Sequence, residues 1–374
     1  MYTKTSSQDY EPSEKPRGRF AGILSLKKIL WAVTLAVMLV VGYVGVYAFN
    51  TYRSVVVEGS LLDRFCIFRC DKSSVAGDPN PIPTADQNHL NVLILGIRGE
   101  EDLANGGLLT DTMVVVSVDK ATKKAVMVSL PRDMYIDMTG TLNDGTKIIL
   151  QGKLNEVYVH GLEQGQGLAL SGQIVSRITG IPIDRAIVFD FNAFEKTIEI
   201  LGGIDVYLDK PFSEKTQWGY EFHLPAGQNH LTVEQAMYYV RSRYSSSDFD
   251  RARRQQQVMI AIKNKASTLG FFGNPKKVTE VMDSLKGNVK TNFQPWEFGD
   301  LLTIASSLNG VQGIDHAVLS TDNLLYESKG PHNEYVLLPR GDNYAGIRNF
   351  FKTIFENPIP PTPRPVSPSN SPLP

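Results

Sequence analysis

Residues His89–Ile97 read HLNVLILGI, a continuous apolar run that predicts a strand buried on both faces. Two more β-rich runs follow, Thr112–Val118 and Lys124–Leu130. The turn VDKATKK joins them, which predicts a hairpin. Beyond it, strands and helices alternate. Leu168–Thr179 predicts a helix closed by Gly180 and stopped by Pro182. Ala186–Phe191 reads as a strand, Asn192–Leu201 as a helix closed by Gly202-Gly203, and Ile204–Leu208 as a strand. Thr232-x-x-Gln235 predicts a capping box on a helix running through Tyr239. Asp248 predicts the N-cap of a long helix reaching Ala266, and further helices are predicted near Pro295–Leu308 and Tyr344–Phe355. The pattern is α/β: a mixed central β-sheet flanked by α-helices.

The composition changes on both sides of this region. Ile29–Phe49 runs 21 residues without a charge, roughly 31 Å as a helix, which matches the hydrocarbon core of a bilayer. One transmembrane helix at 29–49 is expected. A secretory signal peptide is the other reading, but the apolar stretch exceeds an ordinary h-region. Lys15, Arg17, Arg19, Lys27 and Lys28 precede the span, and only Arg53, Arg64 and Arg69 follow closely. The positive-inside rule then makes residues 1–28 a cytoplasmic tail and places everything beyond residue 50 outside the membrane. In that compartment Cys66 and Cys70 are free to pair or to stand as two unlinked thiols. Residues 50–88 form a linker, rich in Pro, Asp and Ser over 71–88. Residues 357–374 hold eight prolines in 18 positions and predict a disordered, extended tail. One globular region remains, 89–356.

The global numbers exclude several classes. Of 374 residues, 38 are Lys or Arg and 39 Asp or Glu, a net charge of −1, so nothing draws the chain as a whole to nucleic acid. Two cysteines cannot build a disulfide scaffold or a four-thiolate zinc site. The six histidines lack metal-binding spacing. No GxSxG elbow, phosphate-binding GxxxxGK[ST] loop or GxGxxG fingerprint is present.

Arginine at structured positions stands out. Tyr239–Val258 reads YVRSRYSSSDFDRARRQQQV. With Val240–Tyr244 extended, Arg241 and Arg243 point to one side. On the next helix Asp248, Arg251 and Gln255 share one face, continued by Val258, Met259 and Ile262. A carboxylate, an amide and three guanidiniums thus converge at a helix N-terminus, an arrangement suited to phosphate. The plain alternative is a solvated salt-bridge face. Asp111 stands at the entrance of the strand Met113–Val118. Arg132 follows Pro131 at the end of another strand, where ligands bind in α/β folds.

The segments TDTMVVVSVD (110–119), VSLPRDMYI (128–136), GKLNEVYVHG (152–161), LGGIDVYL (201–208), AGQNHLTVEQAMYYVRSR (226–243) and SDFDRARRQQQV (247–258) resemble the LytR-CpsA-Psr family in order and spacing. The resemblance covers residues 90–265. It implies a membrane-anchored phosphotransferase with its catalytic domain outside the cell. Such an enzyme moves a glycopolymer phosphate from a polyprenyl-pyrophosphate carrier to peptidoglycan, with Mg²⁺. It also implies site roles: Asp111 as magnesium ligand, Arg132 on the pyrophosphate, Lys153 near the same phosphates, Arg241 and Arg243 as the VRxR pair, and Asp248, Arg251 and Gln255 on the next helix. The family pattern carries an Asp shortly after the first strand and an Arg just before the DT pair. Here Gly96-Ile97-Arg98 and Leu108-Leu109 stand there. The second carboxylate is then Glu100, Glu101 or Asp102, and one phosphate-binding arginine is missing unless Arg98 replaces it.

The chemistry is consistent with an extracytoplasmic site. The donor is already an activated diphosphate, so positioning and charge neutralisation carry most of the catalysis. Asp248 is the candidate acceptor of the hydroxyl proton. Two rivals remain. One is a polyprenyl-pyrophosphate hydrolase at the same site, with water as nucleophile. The other is a non-catalytic envelope-binding or regulatory protein. The 28-residue cytoplasmic segment is short for a DNA-binding domain, and a wall-binding module has no need of the arginines.

Overall fold

The computed structural model describes residues 81–84, 86–271, 274–293 and 314–356, all within the unit Thr51–Pro374. Residues 1–28, expected to be a cytoplasmic tail, the apolar run 29–49, Cys66 and Cys70, the helix expected near Pro295–Leu308 and the proline-rich tail lie outside the described residues. Among the described residues no helix is long and apolar enough to cross a membrane.

In chain order the strands are β1 (His89–Gly96), β2 (Thr112–Asp119), β3 (Ala125–Ser129), β4 (Tyr135–Thr141), β5 (Lys147–Lys153), β6 (Arg185–Phe189) and β7 (Ile204–Leu208). They continue with β8 (Phe212–Glu214), β9 (Phe222–Leu224), β10 (Gly227–Leu231), β11 (Val289–Thr291), β12 (Asp315–Val318), β13 (Leu325–Lys329) and β14 (Tyr335–Pro339). The α-helices are α1 (Val157–Leu162), α2 (Gly167–Thr179), α3 (Phe191–Ile200), α4 (Val233–Arg241), α5 (Asp248–Thr268), α6 (Pro275–Ser284) and α7 (Ala345–Lys352).

The central sheet has the order β11-β6-β1-β2-β3-β12. It is mixed: β1 runs antiparallel to β2 and parallel to β6, and β3 runs parallel to β12. β2 and β3 form the predicted hairpin. The expected α/β class is therefore the observed one.

β1 shows how sequence becomes layers. Leu93 and Leu95 point into a core shared with Ile174 and Ile178 of α2. Ile94 and Gly96 face the opposite side, where they line a cavity. The run is apolar throughout because both faces of the strand meet apolar surroundings. α2 ends as expected at Gly180, in the left-handed region at φ 76°, where a side chain would be strained. A second cluster joins Ile198 of α3, Ile204 of β7, Leu231 of β10, Tyr239 of α4 and Val258 of α5.

Two boundaries differ from expectation. The capping box of Thr232 and Gln235 is present, but α4 continues to Arg241 instead of giving way to an extended Val240–Tyr244. The N-cap of α5 is Ser247, not Asp248. The Ser247 hydroxyl accepts from the Asp250 amide at 3.1 Å, and the Asp250 carboxylate accepts from the Ser247 amide at 3.1 Å. Asp248, one residue inside the helix, is left for other partners. Ser247→Ala is expected to lower stability by about 1 kcal/mol, read from the urea midpoint, whereas Asp248→Ala leaves the cap intact.

Candidate functional site

The site lies where β1, β3 and β6 end and β2 begins. Arg98 follows β1 by two residues, Asp111 precedes β2 and Arg132 lies three residues past β3. Backbone bonds lock these turns together. The Asp111 amide donates to the Gly96 carbonyl at 2.9 Å, the Thr110 amide to the Asn155 carbonyl at 3.1 Å, and the Asn155 amide to the Arg132 carbonyl at 3.2 Å.

Asp111 is the centre. Its carboxylate accepts from Arg132 Nη1 at 2.5 Å and from Arg98 Nε at 3.2 Å, one guanidinium on each oxygen. Its backbone carbonyl accepts from Arg251 Nη2 at 3.3 Å. Burial pushes the Asp111 carboxyl up, but the guanidiniums of Arg132, Arg251 and Arg98 outweigh that and hold it below the ordinary carboxylate value. Burial works against the charge of Arg132 as well, and the carboxylates of Asp248 and Asp111 reverse it. The buried Arg132 Nε has no hydrogen-bond acceptor; Asp133 and Asp248 approach it only to 3.5 and 4.0 Å. Arg251 is 8% exposed and pairs with Asp248 at 2.8 Å.

Arg241 and Arg243 come from the end of α4. Arg241 lies over the rings of Phe191 and Trp218, at 4.7 and 5.4 Å from their centroids, a packing that suits a planar guanidinium. Neither arginine has an ion-pair partner among the described residues. Both are exposed to solvent, and partial desolvation with the neighbouring Arg98 charge holds the Arg241 guanidinium below its ordinary value. The segment is held from behind. Arg254 donates to the Tyr239 carbonyl at 2.9 Å and to the Ser242 carbonyl, a buried cation at the C-terminus of α4. Gln217 accepts from the Arg243 amide at 2.8 Å and donates to the Arg241 carbonyl at 3.1 Å. Buried Glu214 accepts from the Ser245 amide and hydroxyl.

Beneath the arginines lies a cavity of about 460 Å³. Ile94, Ile187, Phe189 and Val289 of the sheet form one wall, and Phe194, Met259 and Ile262 of the covering helices the other. Arg98, Asp111, Arg241, Arg243, Arg251 and Gln255 stand around it. Arg132 and Asp248 line a small adjoining recess that shares Asp111, Arg251 and Gln255. The one-face reading of α5 holds in part: Arg251, Gln255, Met259 and Ile262 border one cavity, Asp248 lines the adjoining recess, and Val258 is buried in the second cluster.

The structure thus brings together Asp111, Arg132, Arg241, Arg243, Asp248, Arg251 and Gln255. Lys153 is set slightly apart, with its ammonium on Asp133 at 2.6 Å. Arg254, Gln217 and Glu214 had not been singled out from sequence. Arg254 sits inside the SDFDRARRQQQV segment (247–258), a usable signal; Gln217 and Glu214 gave none.

Magnesium does not fit this donor set as an ion held by the protein. Mg²⁺ prefers octahedral oxygen ligands, usually one or two carboxylates plus phosphates and water. Both Asp111 oxygens already face guanidiniums. Glu100 pairs with Lys290 at 2.9 Å, Glu101 accepts from Asn192 at 3.2 Å, and Asp102 meets Arg98 at 3.4 Å. Asp102 and Asp111 meet through the Arg98 guanidinium, and Glu100 and Glu101 are engaged elsewhere. Among the described residues no group of three or more His, Cys, Asp or Glu is placed to hold a metal.

The LytR_cpsA_psr family model matches residues 68–345. The chain belongs to the LytR-CpsA-Psr family. It is 28% identical over 338 residues to the polyisoprenyl-teichoic acid–peptidoglycan teichoic acid transferase TagV of Bacillus subtilis, covering 89% of this chain and 78% of that one. It is 27% identical over 278 residues to the corresponding transferase TagU of Bacillus cereus, covering 74% and 82%. The crystal structure of B. subtilis TagV superposes with a TM-score of 0.52 at 27% identity, covering 73% of this chain and 99% of that one. A structure described as TagT bound to LIIa-WTA shares the fold, with a TM-score of 0.52 at 22% identity over 75% and 97% of the two chains.

The depressed Asp111 pKa sets a pH dependence. A carboxylate whose folded value lies below its unfolded value contributes stability above the unfolded value, and loses it as pH falls through the folded one. At neutral pH, Asp111→Asn is expected to cost about 1–3 kcal/mol, because it strips the counter-charge from the partly buried guanidiniums of Arg132 and Arg98. Melting curves of the two proteins are expected to converge as the pH drops below the ordinary carboxylate range.

Proposed function

We propose that this protein transfers a glycopolymer phosphate from a polyprenyl-pyrophosphate carrier to a hydroxyl of peptidoglycan. The observation that carries this reading is the apolar cavity ending in guanidiniums that lack carboxylate partners. Its shape and chemistry match an amphiphile with a hydrocarbon tail and a diphosphate head. The relatives named as teichoic acid transferases support the choice of carrier and acceptor.

In the proposed reaction, the acceptor hydroxyl oxygen attacks the phosphorus that bears the polymer. The bond between that phosphorus and the bridging oxygen breaks, and polyprenyl phosphate leaves with the electron pair. Arg241 and Arg243 are proposed to bind the diphosphate oxygens, with Arg251 and Arg132 stabilising charge as the bridge breaks. Gln255 donates from the cavity wall, and Lys153 supports the phosphate region through the Asp133 pair. Asp248 is the proposed acceptor of the hydroxyl proton. It stands in the recess beside Arg132, 34% exposed. The lipid tail lies between the sheet and helices α3 to α5. The proposed location is a single-pass membrane protein with residues 1–28 cytoplasmic and the catalytic domain outside, where lipid-linked polymer and wall meet. The charge asymmetry around 29–49 supports it.

Mass spectrometry of the purified protein is expected to find a polyprenyl phosphate or diphosphate. Recovery of ligand-free protein that binds no polyprenyl diphosphate would sink the reading. With lipid-linked polymer and peptidoglycan supplied, the product is expected to be wall-linked polymer; release of free polymer phosphate alone would identify the hydrolase instead. Arg241→Lys and Arg243→Lys keep the charge but lose the fork, and are expected to lower transfer by on the order of 10²-fold with melting unchanged. Protease added to spheroplasts is expected to digest the domain beyond residue 50; its full protection would reverse the orientation.

A further inference from the structure

Arg98 occupies a place that the proposed chemistry does not yet explain. The loop that carries it is closed on itself. The amides of Arg98 and Gly99 both donate to the Gly107 carbonyl, at 3.1 and 3.0 Å, and the Gly107 amide returns to the Asp102 carbonyl at 2.9 Å. Gly107 has to be glycine: a Cβ there would lie 2.2 Å from the Gly99 carbonyl oxygen. From the other side, the Arg98 carbonyl accepts from the Phe191 amide at 3.4 Å. The backbone is thus fixed on two flanks. The side chain is steered between two carboxylates, with Nε on Asp111 at 3.2 Å and Nη1 on Asp102 at 3.4 Å, and Nη1 also reaches the Asn105 carbonyl at 3.5 Å. The guanidinium also borders the cavity mouth, alongside Asp111 and Arg241.

A cation between two carboxylates beside a phosphate site is where a divalent ion would act. A metal bridging Asp111 and Asp102 would need the volume that the Arg98 guanidinium fills. We propose that Arg98 is the resident cation of this site: its guanidinium, clamped by Asp111 and Asp102, binds the diphosphate directly and makes binding independent of divalent metal. The inference rests on the diphosphate reading above. Arg98 is weakly hydrated, always charged and retains unsatisfied N–H donors for phosphate oxygens. Asp111 and Asp102 then serve as positioning residues for it.

The test uses the full-length protein in detergent, with inorganic pyrophosphate as the probe. Affinity measured by calorimetry is expected to be the same, within about twofold, in EDTA and in excess Mg²⁺. Arg98→Ala is expected to weaken pyrophosphate binding by about tenfold or more, the size of a lost charge-assisted hydrogen bond, with Arg98→Lys intermediate. Arg98→Asp replaces the cation by a third carboxylate. It is expected to restore a metal requirement: pyrophosphate binding only with Mg²⁺, and an immobilised Mn²⁺ signal in electron paramagnetic resonance that the parent protein lacks. Arg98→Asn keeps a donor without the charge and covers the case in which the Asp variant does not fold; it too is expected to bind pyrophosphate poorly in EDTA. Loss of parent binding in EDTA, or full binding by Arg98→Ala, would overturn the assignment. Metal-independent pyrophosphate binding without transfer to peptidoglycan would leave Arg98 assigned and remove the transferase reading. Transfer that requires Mg²⁺ would do the reverse.

Discussion

The buried carboxylate of Asp111 is the constraint from which the site is built. It draws in guanidiniums from three separate parts of the chain: Arg98 beyond β1, Arg132 beyond β3 and, through its carbonyl, Arg251 of α5. The carboxylate is the counter-charge of Arg98 and Arg132, while Arg251, the most buried of the three, pairs with Asp248. The same contacts tie the ends of the central strands to the helix covering the cavity. Charge neutralisation and tertiary docking are therefore one event. The cations outnumber the carboxylates at the mouth, and that excess makes the place selective for an anion.

A second layer of polar contacts sets the direction of the remaining arginines. Arg254 does not face the cavity. It stacks at 4.8 Å from the Phe212 ring centroid and binds the carbonyls at the end of α4. Glu214 and Gln217, from the β8–β9 hairpin, bind the segment that follows. Arg241 and Arg243 are thus presented on a backbone whose donors and acceptors are already occupied. A phosphate group there meets a fixed backbone, with the Arg241 guanidinium also packed on Phe191 and Trp218, and less backbone ordering entropy is lost on binding.

Most of the sheet and the helices around it were legible in the sequence, because each obeys a local rule. β1 is a long apolar run, β2 and β3 flank a polar turn, α2 ends at a glycine and α4 begins with a capping box. The misreadings fall where distant residues decide. The alternation of Arg241 and Arg243 looked extended, but α4 continues to Arg241, where the carbonyls of Tyr239 and Ser242 meet Arg254, fifteen and twelve residues downstream. Ser247 rather than Asp248 caps α5, since the reciprocal partner Asp250 completes a box and Asp248 is drawn to Arg251. Of the site, the carboxylate, the arginines and the glutamine were legible through their shared segments. Arg98 was visible only as a departure from pattern; its meaning came from two carboxylates brought to it by a loop closed at Gly107.

The order of the central sheet has a consequence for how much of the chain is indispensable. The short motifs quoted from the sequence all lie before residue 266, but the family match runs on to residue 345, and both outer strands, β11 on β6 and β12 on β3, come from that later part. A chain cut after α5 would keep the arginines and the apolar cavity walls of β1 and β6. It would also leave two unpaired sheet margins, one of them β3, whose five residues are buried throughout. Bare backbone along an apolar strand is a template for pairing with another molecule. The short strands β11 and β12 therefore cover the apolar margins of β6 and β3.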